Sequence, residues 1–294
     1  MLLGAAGFFV GDWTSFSADI AAQAVDLGFA TLGLRVQEPR AVSDADVSRA
    51  RRLFAEAGMV PGQTVGEYGG ALVSPDDAER AAAIGFMGRM CELTARLGSP
   101  NTYLRPGSLN PAGAWTPHPG NRSAAVFDRL VDSTRRICAV AESEGVLVAV
   151  EAGVVSPLHS PRRVKEYFDA VASPALGFNL DPVNLVGTLE DAWDTTRLID
   201  ECVDLLGAVT VGAHAKDVCI VDGLFPHFEE AEIGAGLLDH ATLLRRVQAV
   251  APGAHVLIEH LPPDRFPAAV AALDVFAREA GVVWDRPTVI AEPG

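Results

Sequence analysis

Eight short β-rich runs alternate with amphipathic helical stretches along the whole 294-residue chain, an order that few folds accept. The runs lie at about 2–9, 30–36, 59–65, 101–105, 146–151, 176–181, 207–214 and 254–259. Eight strand–helix units are the number that closes a (β/α)8 barrel. The structural rival is a doubly wound open sheet, which would show a Gly-rich phosphate turn after its first strand, whereas Gly4-Ala-Ala-Gly7 falls inside the expected strand. The expectation is therefore an α/β chain forming a single TIM-barrel domain over 1–294, with long βα loops at the C-terminal face.

The helical punctuation agrees. Ser17 can cap a helix over 18–27 that closes on Gly28, Ser43 with Asp46 caps one ending at Gly58, and Ser74-Pro75 opens one ending at Gly98. A helix from about Arg122 ends at Gly145, Ser160-Pro161 starts another, Asp239 caps 241–250, and Phe266-Pro267 leads into the last, which stops at Gly281. Two stretches, 105–121 and 218–238, are too long for simple connections, and loops of that length at the active face usually cover a site.

Four strand-like runs finish on residues able to hold a divalent metal: Glu151, Asp181, His214 and Glu259. Strand ends of a parallel barrel converge on one mouth, so these four can meet around one ion. One imidazole with three carboxylates is an oxygen-rich set that suits Mn²⁺ first, then Mg²⁺ or Co²⁺, with Zn²⁺ less favoured. Any one of these acids alone would read as a rim ion pair or helix cap, and His214 alone as a core histidine. Together they would bury carboxylates at a cost that a cation removes. Lys216, two residues past His214, shares its face if the strand continues, unless it only pairs with Asp217. Arg105 at the end of the fourth strand and His159 before the fifth helix are candidates for hydroxyl or phosphate contacts, and Asn184 for a hydroxyl contact or a turn. Glu67, His227 and His260 rank lower, and Trp13 and Trp115 either stack on a ring or pack.

Composition narrows the classes. With 49% hydrophobic and 21% charged residues, the chain can bury a large core. Its net charge of −15 repels phosphodiester backbones, and the only basic features are Arg pairs at 51–52, 135–136, 162–163 and 245–246, so no nucleic-acid partner is expected. Cys91, Cys138, Cys202 and Cys219 lack Cys-x-x-Cys spacing and read as idle thiols of a reducing compartment. The apolar N-terminus has no basic leader and reads as the first strand. No run approaches the roughly 18 apolar residues of a membrane helix. A cytoplasmic protein without a membrane partner is expected.

Taken in order, these residues resemble the xylose-isomerase-like sugar isomerase and epimerase superfamily, which includes ketose 3-epimerases, hydroxypyruvate isomerases, inosose dehydratases and a branch of apurinic-site endonucleases. The resemblance is carried by Glu151, Gly177-Phe-Asn-Leu-Asp181-Pro-Val-Asn184, His214-Ala-Lys216-Asp217, Gly234-Ala-Gly236-Leu-Leu-Asp239 and Ile258-Glu259. It implies metal ligation by Glu151, Asp181, His214 and Glu259. It also implies that Glu151 and Glu259, on opposite sides of a bound sugar, exchange a proton with the carbon beside a carbonyl. Asn184 stands where relatives often have His, and Asn cannot act as an acid near neutral pH. The activity implied is a metal-dependent sugar isomerase or epimerase. The alternative is a lyase acting on a keto-sugar, keto-inositol or 3-keto-glycoside by β-elimination. Endonuclease action is opposed by the acidic balance and by only seven His, and a non-catalytic barrel by retention of the whole ligand set. A homo-oligomer is compatible with the resemblance.

Overall fold

Strands covered on both faces read as continuous apolar runs rather than alternating ones. In the computed structural model, which describes residues 1–287, such runs form most of the barrel strands, β1 (Leu2–Ala5), β2 (Thr31–Val36), β5 (Leu147–Val150), β6 (Leu176–Leu180) and β7 (Thr210–Ala215), whereas β3 (Val60–Gly66) and β4 (Asn101–Leu104) also bury Gln63, Thr64, Asn101 and Thr102. An antiparallel pair, β8 (Asp217–Val221) and β9 (His227–Ala231), follows, and β10 (His255–Ile258) is last. All but β8 and β9 pair in parallel and close an eight-stranded barrel in the order β1-β10-β7-β6-β5-β4-β3-β2. The fold is the expected TIM barrel. The expected domain of 1–294 includes 288–294, which lie outside the described residues.

The helices surround the barrel: α1 (Ala18–Asp26), α2 (Asp44–Glu56), α3 (Asp77–Leu97), α4 (Ala124–Glu144), α5 (Pro161–Val171), α6 (Leu189–Trp193), α7 (Thr195–Leu206), α8 (His240–Val250) and α9 (Phe266–Ala280). Caps fall where the sequence placed them. Side chains of Ser17, Ser43, Ser160 and Asp239 accept first-turn N–H groups, and Gly98, Gly145 and Gly281 close their helices in the left-handed conformation.

Four details differ from expectation. β1 stops at Ala5, because Gly7 turns the chain at φ +71° and Phe8 folds back onto Phe29 and Phe266, with ring centroids 5.5 and 5.3 Å away. Asp76 rather than Ser74 caps α3, since its carboxylate reaches the N–H groups of both Ala78 and Glu79. Between β6 and β7 the chain forms two helices, α6 and α7, capped by Thr188 and Asp194, which the reading of the sequence did not single out. Segment 218–238 is largely the β8–β9 hairpin, not an irregular loop.

Asp217 fixes that hairpin to the barrel. It immediately follows the inward-facing Lys216, and its buried carboxylate accepts N–H groups from Val218 (2.8 Å), Gly234 (2.9 Å), Gly236 (3.1 Å) and Leu238 (3.0 Å). His240 Nε2 lies 3.3 Å away. A Cβ on Gly236 would sit 2.2 Å from the carboxylate, so the close approach requires glycine. Burial opposes the charge, but His240 and the backbone N–H groups hold this carboxyl below its usual range. Replacing Asp217 by Ala strands several buried donors, and we expect a loss of about 3 kcal/mol of stability in denaturant unfolding. A loss below about 0.5 kcal/mol, the size of an ordinary surface change, would contradict this anchoring role.

Candidate metal and active site

Four strand ends deliver the site. Glu151 follows β5, Asp181 follows β6, His214 lies in β7 and Glu259 follows β10. One ligand atom from each lies within 4.8 Å of all the others, and Glu151, Asp181 and His214 are buried. His214 Nδ1 is 2.7 Å from Glu151 Oε1, 3.2 Å from Glu259 Oε2 and 3.9 Å from Asp181 Oδ2. These approaches are out of line for hydrogen bonds: both ring nitrogens of His214 are buried without a hydrogen-bond partner. Orphaned polar atoms around one centre fit a cation, because burying them unpaired is costly. The residues could therefore hold a divalent metal.

Charge arithmetic points the same way. Lys216 Nζ lies 2.8 Å from Asp181 Oδ2 and 2.5 Å from Glu259 Oε1. Its ammonium offsets one of the three carboxylates, and a divalent ion beside a neutral His214 would offset the other two. Without an ion, the cluster leans on protons. Burial opposes an imidazolium, yet Glu259 and Glu151 outweigh it and raise His214 to about 10. Burial pushes Asp181 up to about 7 despite Lys216, with Glu151 and Glu259 adding to the push. Burial also opposes charge on Glu151 and Glu259, but His214 outweighs it and holds both below the usual carboxylate range.

A cavity of about 360 Å³ opens over the cluster. Glu151, Glu259, Lys216 and Asn184 line it, as do Trp115 from the 105–121 loop and Phe228, Glu229 and Glu230 from β9. Both long segments thus reach the site, as expected. Lys216 donates to Asn184 Oδ1 at 3.1 Å, so these two candidates meet, and Lys216 pairs with the site acids instead of Asp217.

Two substrate-binding candidates are not brought there. Arg105 turns away from the cavity lining, donating to the Gly66 carbonyl, lying 3.9 Å from Glu67 and stacking 5.2 Å from the Tyr68 ring centre. A strand-end arginine with aromatic and carbonyl partners behind it gains more from them than from an open mouth. His159 is half-buried outside the lining, and burial followed by Arg122 and Arg163 holds it below the usual histidine range. Trp13 is fully packed in the core, and the exposed His227 pairs with Glu229 at 3.0 Å.

Tyr103 was missed. Its hydroxyl donates to Glu151 Oε2 at 2.5 Å, and burial, with Glu151 and Glu259 adding, raises its pKa so that it keeps the proton it donates. Asn179 is a further partner, 3.5 Å from Glu151 Oε1, and Gln63 connects it to Asn101. Strand alternation held the signal: Asn101 and Tyr103 are two apart on β4 and both point inward.

The xylose isomerase-like TIM barrel family model matches residues 21–278. The chain belongs to that family. A search of curated proteins finds no match. Among solved structures, a xylose isomerase domain protein from Planctomyces limnophilus is similar at 18% identity and TM-score 0.71, covering 95% of this chain and 96% of the other. A xylose isomerase-like TIM barrel protein from Mycobacterium smegmatis in complex with magnesium is similar at 16% identity and TM-score 0.70, covering 94% and 95%. D-psicose 3-epimerase from Clostridium cellulolyticum H10 with D-tagatose is similar at 16% identity and TM-score 0.72, covering 96% and 100%. At such identities the likeness concerns the fold.

For this xylose isomerase-like barrel, Tyr103→Phe removes the hydroxyl that orients Glu151 and keeps the ring. Mn²⁺ affinity measured by calorimetry should fall about tenfold, as is typical when a partner behind a ligand is lost. Unchanged affinity would show that Glu151 is oriented without it.

Proposed function

We propose that this chain is a divalent-metal-dependent sugar isomerase or epimerase in which Glu151 and Glu259 exchange a proton with the carbon beside a carbonyl. The observation that carries this reading is the placement of both glutamates in one cavity, each within reach of His214. The D-psicose 3-epimerase with D-tagatose and the magnesium complex among the structural neighbours support a sugar substrate and a metal. Glu151, Asp181, His214 and Glu259 would hold the ion, for which we favour Mn²⁺ over Mg²⁺, Co²⁺ or Zn²⁺ on the hardness of three carboxylates. When bound, the ion supplies positive charge beside the carbonyl oxygen and so makes the neighbouring C–H more acidic.

The protein's own groups do the rest. Tyr103 fixes Oε2 of Glu151, while Oε1 faces the centre of the site beside His214 Nδ1. Lys216 pairs with Glu259 and occupies the amide oxygen of Asn184, so the Asn184 N–H donors are left for a substrate hydroxyl. A proton removed by one carboxylate and returned by the other inverts a carbon, whereas return to the adjacent carbon, with a proton passed from the neighbouring hydroxyl to the former carbonyl oxygen, isomerises. No described helix is long and apolar enough to cross a membrane. The four cysteines are free, and burial raises Cys91 to about 12 and Cys138 to about 11, which suits inert thiols of a reducing cytoplasm.

Incubation of Mn²⁺-loaded protein with ketoses in heavy water should place deuterium on the carbon beside the carbonyl. Glu259→Gln should slow this about 100-fold or more and remove the rise in melting temperature that Mn²⁺ gives the wild type. Retention of every C–H by all ketoses, or full exchange by the variant, would overturn the assignment. Release of an unsaturated product would move it to β-elimination.

A further inference from the structure

Three buried amides form a polar row inside the barrel. Gln63 of β3, Asn101 of β4 and Asn179 of β6 are almost wholly buried. Gln63 Nε2 lies 2.9 Å from Asn101 Oδ1 and 3.5 Å from Asn179 Oδ1, and Asn179 Nδ2 lies 3.5 Å from Glu151 Oε1. Glu151 dictates which end of each amide faces which neighbour. An ionised carboxylate only accepts, so Asn179 must turn its NH2 to Glu151 and its oxygen to Gln63. Gln63 must then turn its own NH2 to Asn179, and the same NH2 meets the oxygen of Asn101. Gln63 Oε1 is buried without a hydrogen-bond partner among the described residues, so the donor end alone holds this amide. Yet no residue of β3 joins the metal cluster or lines the cavity.

We infer that Gln63 is a positioning residue for Glu151 and acts through Asn179. The inference rests on Glu151 being a carboxylate of the reacting centre. The last torsion of a glutamate is broad, so a carboxylate held at one oxygen still pivots. Tyr103 holds Oε2, and Asn179 is the amide donor at Oε1, the oxygen beside His214 Nδ1. With both oxygens held, the plane of the carboxylate is set. Asn179 can do this only with its NH2 forward, and an asparagine amide turns over at little steric cost because its two ends are alike in size. Gln63 removes that freedom, since turning Asn179 over would set NH2 against NH2 at Gln63 and oxygen against oxygen at Glu151. An apolar side chain at position 63 would leave the choice open and the Asn179 oxygen buried without this donor.

Gln63→Met keeps the length of the side chain and cannot donate, and Gln63→Leu takes its place should the Met variant not fold. Calorimetric titration with Mn²⁺ should show an affinity about fivefold below wild type, a smaller loss than for a residue touching Glu151, because Gln63 acts at one remove. Asn179→Ala should lower the affinity about tenfold. The double variant should fall no further than Asn179→Ala alone, because a single link has been cut twice. With D-tagatose in heavy water, kcat for exchange should fall about tenfold in the Gln63 variant while KM stays within about twofold, as expected of a residue that orients a reacting group and does not touch the sugar. Unchanged Mn²⁺ affinity in a folded Gln63 variant, a double variant whose loss is the product of the two, about fiftyfold, or a loss confined to KM would overturn the inference. The two readouts also separate the claims. A wild type that exchanges no hydrogen yet shows the coupled Mn²⁺ losses leaves the positioning standing and removes the isomerase reading. Exchange by the wild type, with a Gln63 variant equal to it in affinity and kcat, does the reverse.

Discussion

Three carboxylates share a buried pocket at the mouth of this barrel, and the structure around them is arranged to make that tolerable. Like charges a few ångströms apart in a low-dielectric setting repel strongly unless a cation or proton lies between them. Lys216 supplies one fixed positive charge, and His214 presents either a lone pair to a metal or a proton to its neighbours. The consequences spread outward. Asn184 is turned by Lys216, Tyr103 by Glu151, and the polar set Gln63, Asn101 and Asn179 runs beneath them inside the barrel. His255, deeper still, is forced neutral: burial, with His214 adding, lowers it to about 3.

Strand geometry lets one short segment serve both site and scaffold. His214 and Lys216 are two apart and face the acids, whereas Asp217 turns away and gathers the backbone of 218–238. The side chains that touch the site and the hairpin that covers it are thereby set by neighbouring residues. The Gly234-Ala-Gly236 motif contributes through its N–H groups and its lack of a Cβ, because any side chain at Gly236 would collide with the Asp217 carboxylate.

Much of this was legible in the chain. Strand runs, helix caps and the four strand-end acid and histidine residues are local signals, since each depends on residues within a few positions of one another. The convergence of Glu151, Asp181, His214 and Glu259 needed only the assumption that the barrel closes. What was not legible depended on direction. Arg105 ends the right strand, but its guanidinium folds back to Gly66 and the aromatic faces of Tyr68 and Tyr103. His159 sits in the right loop but outside the cavity lining. Trp13 and Trp115 looked equivalent, yet one is core and the other wall.

The sequence by itself determined the barrel, the positions of most of its helix ends and the identity of the four residues at the mouth, because burial periodicity and capping are written into neighbouring positions. Tertiary structure alone decided that Tyr103 holds Glu151, that Lys216 bridges Asp181 and Glu259, and that a hairpin places Glu229 and Glu230 beside the cavity. These contacts join residues 35 positions apart for Asp181–Lys216 and 48 apart for Tyr103–Glu151, and side-chain direction there follows from packing against elements that local sequence does not contain.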